Sequence, residues 1–149
     1  KGGIVAKAIT TGASGHISQL TFTLSTAAGG EAVDFSAPTA DAGTGLAMND
    51  DTATNYVIIS YIDADQKVDN LMWSKSFIGL NDSDNLLENG EKVQITIGGA
   101  GGAGDMDDAL NPDLLVNKTF TIEVKTAKGA VLTFQRTTPA TIDAVNVLN

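Results

Sequence analysis

Residues 118–136, K-T-F-T-I-E-V-K-T-A-K-G-A-V-L-T-F-Q-R, decide the fold. Phe120, Ile122 and Val124 alternate with Thr121, Glu123 and Lys125, the period-two pattern of a strand with one face buried. Thr126–Gly129 is a four-residue connection in which Gly129 can take a positive φ, and Ala130–Arg136 supplies a returning strand. The stretch reads as a β-hairpin.

The same alternation recurs upstream. Leu20, Phe22 and Leu24 alternate with Thr21 and Thr23 inside His16–Ser25, and Val93, Ile95 and Ile97 do so inside Glu91–Ile97. Tyr56–Ile62 is β-branched and almost continuously apolar, which predicts a central strand covered on both faces. Met72–Ile78 is a further strand, with Ile4–Ile9 and Glu31–Ser36 as weaker ones. Polar or Gly/Ala-rich connections separate them: Ala37–Asn55, Asp63–Asn70, Asn81–Gly90 and Gly98–Asp113. No 12-residue stretch carries a 3.6-residue apolar stripe. The pattern predicts an all-β protein, a β-sandwich of mostly antiparallel strands with long loops, as a single domain over residues 1–149.

Composition narrows the function. Hydrophobic residues make up 42% of the 149 and charged residues 18%, a globular balance, and with aromatics at 5% the core must be mainly aliphatic. The formal net charge of −9, without a Lys/Arg cluster, argues against nucleic acid and favours cation-rich surroundings. The absence of cysteine excludes disulfides, thiolate metal sites and cysteine nucleophiles. No apolar run approaches the roughly 20 residues of a membrane helix, and no signal-peptide pattern opens the chain. The first residue is Lys1, which predicts further residues upstream in the gene product.

Catalytic equipment is sparse. His16 is the sole histidine, and Gly12-Ala13-Ser14-Gly15 falls one residue short of a nucleophile elbow. His16 reads as an exposed or capping side chain, and the chain as a non-enzyme. Gly98–Gly104 resembles no phosphate loop, because neither Lys-Ser/Thr nor a helix pattern follows; it reads as a flexible surface loop.

The most chemical segment is Asn81–Glu91, N-D-S-D-N-L-L-E-N-G-E. Carboxylates at Asp82, Asp84, Glu88 and Glu91, the Asn85 amide and a main-chain carbonyl near Leu86 offer the several oxygens that a hard divalent cation requires. The spacing starts like an EF-hand loop but lacks its central glycine and its twelfth-position Glu. A solvated polar turn is the competing reading. Asp105-Met106-Asp107-Asp108 is a second acidic cluster, read as a charged loop tip able to lend a ligand to the same ion. Asn81-Asp82-Ser83 and Asn117-Lys118-Thr119 are N-glycosylation sequons, meaningful if the protein is exported.

The last 30 residues carry a more specific signal. Phe120–Lys125, Gly129–Leu132 and the R-T-T-P-A-T-I-D-A-V-N-V-L run of Arg136–Leu148 resemble the closing segment of archaellins, the archaeal flagellins. Ile17–Leu24 with Gly29–Phe35, and the acidic Asp82–Ile95, are similar to other stretches of that family. Thr126-Ala127 stands where archaellins often carry Pro-Pro, and Phe35 where Leu is more usual.

This resemblance implies an Ig-like β-sandwich, N-glycosylation, and a structural Ca²⁺ held by Asp82, Asp84, the Leu86 carbonyl and Glu91. It also implies a structural subunit of an extracellular motility filament, partnered by other filament subunits. The hydrophobic N-terminal helix of the family is missing from this sequence. The expectation is therefore an exposed outer domain, monomeric in isolation and without membrane contact. The alternative is a Ca²⁺-dependent carbohydrate- or surface-binding adhesin. Trp73, Tyr56 and Tyr61 would then be its sugar platforms, although all three fall in predicted strands, where core packing is their ordinary use.

Overall fold

A computed structural model describes residues 3–48, 56–99 and 104–149. Its strands are β1 (Ile4–Lys7), β2 (Gln19–Ser25), β3 (Val33–Asp34), β4 (Ala40–Asp41), β5 (Leu46–Ala47), β6 (Val57–Ile62), β7 (Lys67–Val68), β8 (Trp73–Ile78), β9 (Leu86–Leu87) and β10 (Lys92–Ile97). A single helical turn α1 (Met106–Ala109) precedes β11 (Thr119–Thr126), β12 (Val131–Thr137) and β13 (Val145–Leu148).

Two antiparallel sheets form a sandwich. One has the order β13-β1-β2-β10-β8 and the other β12-β11-β6-β7, with two short ribbons, β3-β9 and β4-β5, at the periphery. The alternating apolar residues meet between the sheets. Leu20, Phe22, Val93, Ile95, Ile97 and Trp73 from the first pack in one cluster with Val57, Ile59, Tyr61, Phe120, Ile122 and Val124 from the second. Phe22 meets Phe134 edge-on at 4.9 Å between ring centres. The Trp73 indole N–H donates across the sandwich to the Val57 carbonyl at 3.3 Å.

The hairpin β11–β12 forms as expected, with Thr126 drawn into β11 so that the turn starts one residue later than the sequence suggested; Phe120 lies opposite Arg136 and Val124 opposite Leu132. Its turn closes through Thr126 N–H to Ala130 O at 2.9 Å, with Gly129 at φ 83°. Strand β6 is interior to its sheet, between β11 and β7. Its inward residues and Ser60 are buried, while Ile58 and Ile62 on the outer side keep partial exposure, so that face is covered only in part.

Three elements depart from the sequence reading. Tyr56 lies before β6, not in it, and is exposed. Strand β13 adds a fifth strand beside β1. Its alternation is inverted: Val145 and Val147 face outward at 57% and 64% exposure, and Asn146 faces inward at 7%. The buried Asn146 amide is satisfied by the carbonyls of Ala6 (3.3 Å) and Asp143 (2.7 Å), which is why a polar residue is tolerated there. Asp105–Asp108 is not a loose loop tip. It starts α1 with a capping box between Asp105 and Asp108, and Met106 is wholly buried in the core. Of the glycine-rich run, residues 100–103 lie outside the described residues, as do residues 49–55 of the Ala37–Asn55 connection.

Candidate functional site

The Asn81–Glu91 loop links β8 to β10 and is pinned at its middle by β9, whose Leu87 is buried. Short polar side chains turn the backbone back on itself. Asn81 Oδ1 accepts from the Ser83 amide at 2.8 Å, Asp82 Oδ1 from the Asp84 amide at 3.3 Å, and Asp84 Oδ1 from the Leu86 amide at 2.8 Å. Ser83 sits at φ 78° within this series. Lys75 of β8 reaches the Asn85 side chain, and Thr26 Oγ donates to the Glu88 carbonyl at 3.1 Å.

The carboxylates that converge are Asp82, Asp84 and Glu88, each offering an oxygen within 4.8 Å of the others. Each of the two aspartates also accepts a backbone amide hydrogen bond through Oδ1, which fixes its side chain in place. Partial burial, followed by the charges of Asp82, Asp84 and Glu91, pushes the Glu88 carboxyl above its ordinary range. Three mutually repelling oxygens on a pinned loop fit the hard-cation chemistry of Ca²⁺, which would draw its remaining ligands from main chain or water.

The expected ligand set is placed unevenly. Asp82 and Asp84 are in the group. Leu86 lies in β9, paired with Asp34, and its amide braces Asp84. Glu91 stands apart: it is buried, and it accepts from the Glu88 amide at 2.9 Å and faces the Asn81 Nδ2 at 3.5 Å. The sequence held a signal for this, because Glu91 continues the inward series of Val93, Ile95 and Ile97. Glu88 was visible in the sequence as a loop carboxylate, but a turn had to be seen to bring it back onto Asp82.

The two sequons differ in the same way. Asn81 is half-buried, with its amide on Glu91. Asn117 is exposed at φ 53°, at the turn that leads into β11.

His16 is neither exposed nor a cap. Its Nε2 is 3.1 Å from Asp107 of α1 and its Nδ1 3.8 Å from Asp113, so it ties α1 and the segment after it to the start of β2. Among the described residues no hydroxyl is one of its partners, which leaves a Ser-His-Asp arrangement without its nucleophile. Trp73 and Tyr61 are core residues, and of the three aromatics weighed as sugar platforms only Tyr56 reaches solvent.

Comparison with known proteins agrees with this architecture. Residues 3–136 match the family model for archaeal-type flagellin. The chain belongs to that family. It is 33% identical over 152 residues to "Probable flagellin 1" of Archaeoglobus fulgidus, an alignment covering 99% of this chain and 68% of that protein. Its fold is similar to archaeal flagellin FlaB1 from Methanocaldococcus jannaschii, with a TM-score of 0.67, 13% identity, and 98% and 93% of the two chains covered. It is also similar to the subunit in "The archaeal flagellum of Methanospirillum hungatei", with a TM-score of 0.56, 18% identity, and 98% and 67% covered.

Proposed function

We propose that this flagellin chain is the exposed globular part of an extracellular archaeal motility filament, a structural β-sandwich that packs against copies of itself and forms the filament surface. The observation that carries the reading is the family match over residues 3–136, joined by a fold shared with a flagellar filament subunit over 98% of the chain. A non-catalytic role accords with His16, whose Nε2 is held by Asp107 at 3.1 Å and whose Nδ1 faces Asp113 at 3.8 Å. The carbohydrate-binding alternative is weakened by the burial of Trp73 and Tyr61. Deleting the gene is expected to remove filaments from the cell surface in electron micrographs, with restoration by a plasmid copy. A deletion strain that keeps its filaments and its swimming would overturn the assignment.

Within that role, Asp82, Asp84 and Glu88 hold one structural divalent cation, Ca²⁺ by oxygen chemistry and charge. The ion offsets repulsion that otherwise works against folding. Glu88 has a raised folded pKa, so in chelator the native state binds its proton more tightly than the unfolded chain does. Stability then falls as pH rises through the window between the ordinary Glu value and the raised one. Glu88→Gln is accordingly expected to raise the melting temperature in EDTA and to abolish the increase that millimolar Ca²⁺ gives the parent. Identical melting curves of the parent in EDTA and Ca²⁺ count against the site.

Asn117 is the better glycan acceptor of the two sequons, because a glycan on Asn81 would displace its amide from Glu91. Protein isolated from its own cells is expected to lose one glycan mass on Asn117→Gln and none on Asn81→Gln. An unchanged mass for Asn117→Gln rules that acceptor out.

A further inference from the structure

The strand registers place on one plane everything that points outward from the five-stranded sheet: Val145 and Val147, Val5 and Lys7, Gln19 to Ser25 at alternate positions, Lys92, Gln94 and Thr96, and Ser74, Ser76 and Ile78. The Thr21–Thr96 hydroxyl contact at 3.3 Å across β2 and β10 lies on this face. Among the described residues no acidic side chain stands on it; Asp105 touches only its rim, at 3.5 Å from Gln19. Yet the molecule carries 18 acidic residues. Taking the two lysines of this face from the net −9 leaves −11 for everything else.

Those two lysines are singular in another respect. Among the described residues, Lys67, Lys118, Lys125 and Lys128 each reach a carboxylate, and Lys75 reaches Asn85. Lys7 and Lys92 are exposed and lie in salt-bridge range of none. The outward sheet of the other layer differs, because Glu123 and Lys125 neutralise each other there at 3.0 Å.

We propose that this carboxylate-free face is an interface that receives an acidic surface of a second copy of the same chain, with Lys7 and Lys92 taking their carboxylate partners from that copy. Two bodies of charge −9 repel unless the contact removes like charge, and a surface cleared of carboxylates does so. Pairing the face with itself would set lysines against lysines. The contact is therefore heterologous, the kind that builds an open helical polymer instead of a closed dimer. The exposed Val145 and Val147 supply apolar area at its β13 margin.

This inference rests on the filament reading, and the test separates the two. Filaments assembled from an equal mixture of isotopically light and heavy full-length subunits are treated with a zero-length carbodiimide, and crosslinked peptides are assigned by mass spectrometry. Mixed-isotope crosslinks from Lys7 or Lys92 to Asp or Glu of another copy are expected. The variant Thr23→Glu/Ser76→Glu puts two carboxylates on the face without placing them directly opposite each other. It is expected to fold with unchanged circular dichroism and to pellet at least tenfold less polymer than the parent. Val131→Glu/Gln135→Glu, with equal added charge on the outward side of the other sheet and both sequons intact, is expected to pellet normally. Parent filaments in which neither lysine crosslinks between copies, or a Thr23→Glu/Ser76→Glu variant that assembles like the parent, overturn the interface while leaving the filament reading in place. A parent subunit that forms no polymer removes both.

Discussion

Trp73→Ala is expected to destabilise the sandwich by about 3–5 kcal/mol, the range for deleting a large aromatic from a packed core. Trp73 is 1% exposed and lies between the sheets, edge-on to Phe35 at 6.1 Å between ring centres. Its loss leaves a cavity and also removes the donor for the Val57 carbonyl. For a chain of 149 residues the loss lowers the melting point by on the order of 10 °C. Trp73→Phe separates the two contributions. It keeps most of the volume but leaves that buried carbonyl unpaired, for about 1–3 kcal/mol. Thermal unfolding followed by circular dichroism measures both variants. A loss below about 1 kcal/mol for alanine would mean that the sheets close over the gap, contrary to the packing described.

The layers of this core were legible because they depend on alternation alone. Phe120/Ile122/Val124 and Val93/Ile95/Ile97 put every apolar side chain on one face, and a one-residue slip would expose all of them. Strand β13 hid because its valines face out and its asparagine faces in, a choice fixed by pairing with β1 and by the Ala6 and Asp143 carbonyls, which are distant in sequence or set by a turn. The helix α1 hid because one turn cannot display a 3.6-residue period, and its anchor Met106 is a single residue among acids.

At the acidic loop, residue types revealed the chemistry, since oxygen-rich side chains close together announce themselves. The choice between Glu88 and Glu91 was geometric. Glu91 begins the inward face of β10 and holds the turn from beneath, which frees Glu88 to stand beside the two aspartates. The same logic made the carboxylate-free face invisible in the sequence, because it exists only once four registers bring five strands into line.

Glycines supply the second large effect, and here position matters more than residue type. Gly45 has φ 70°, and a Cβ added to it would fall 2.3 Å from the Asp105 carbonyl oxygen and 3.1 Å from Ala109. Both neighbours belong to the cap and body of α1, so neither can swing aside as a flexible side chain would. Gly43, two residues earlier in the same turn, has φ 75° and open space where its Cβ would stand. Gly43→Ala therefore carries only the left-handed backbone penalty, about 1–2 kcal/mol. Gly45→Ala carries that penalty plus the forced separation of the β4–β5 ribbon from α1, for a total of about 3 kcal/mol or more. That separation also loosens Met106, so amide exchange should accelerate through residues 105–110 in Gly45→Ala and stay at the parent rate there in Gly43→Ala. Equal melting points for the two variants would show that the approach of Gly45 to Asp105 does not hold α1 in place.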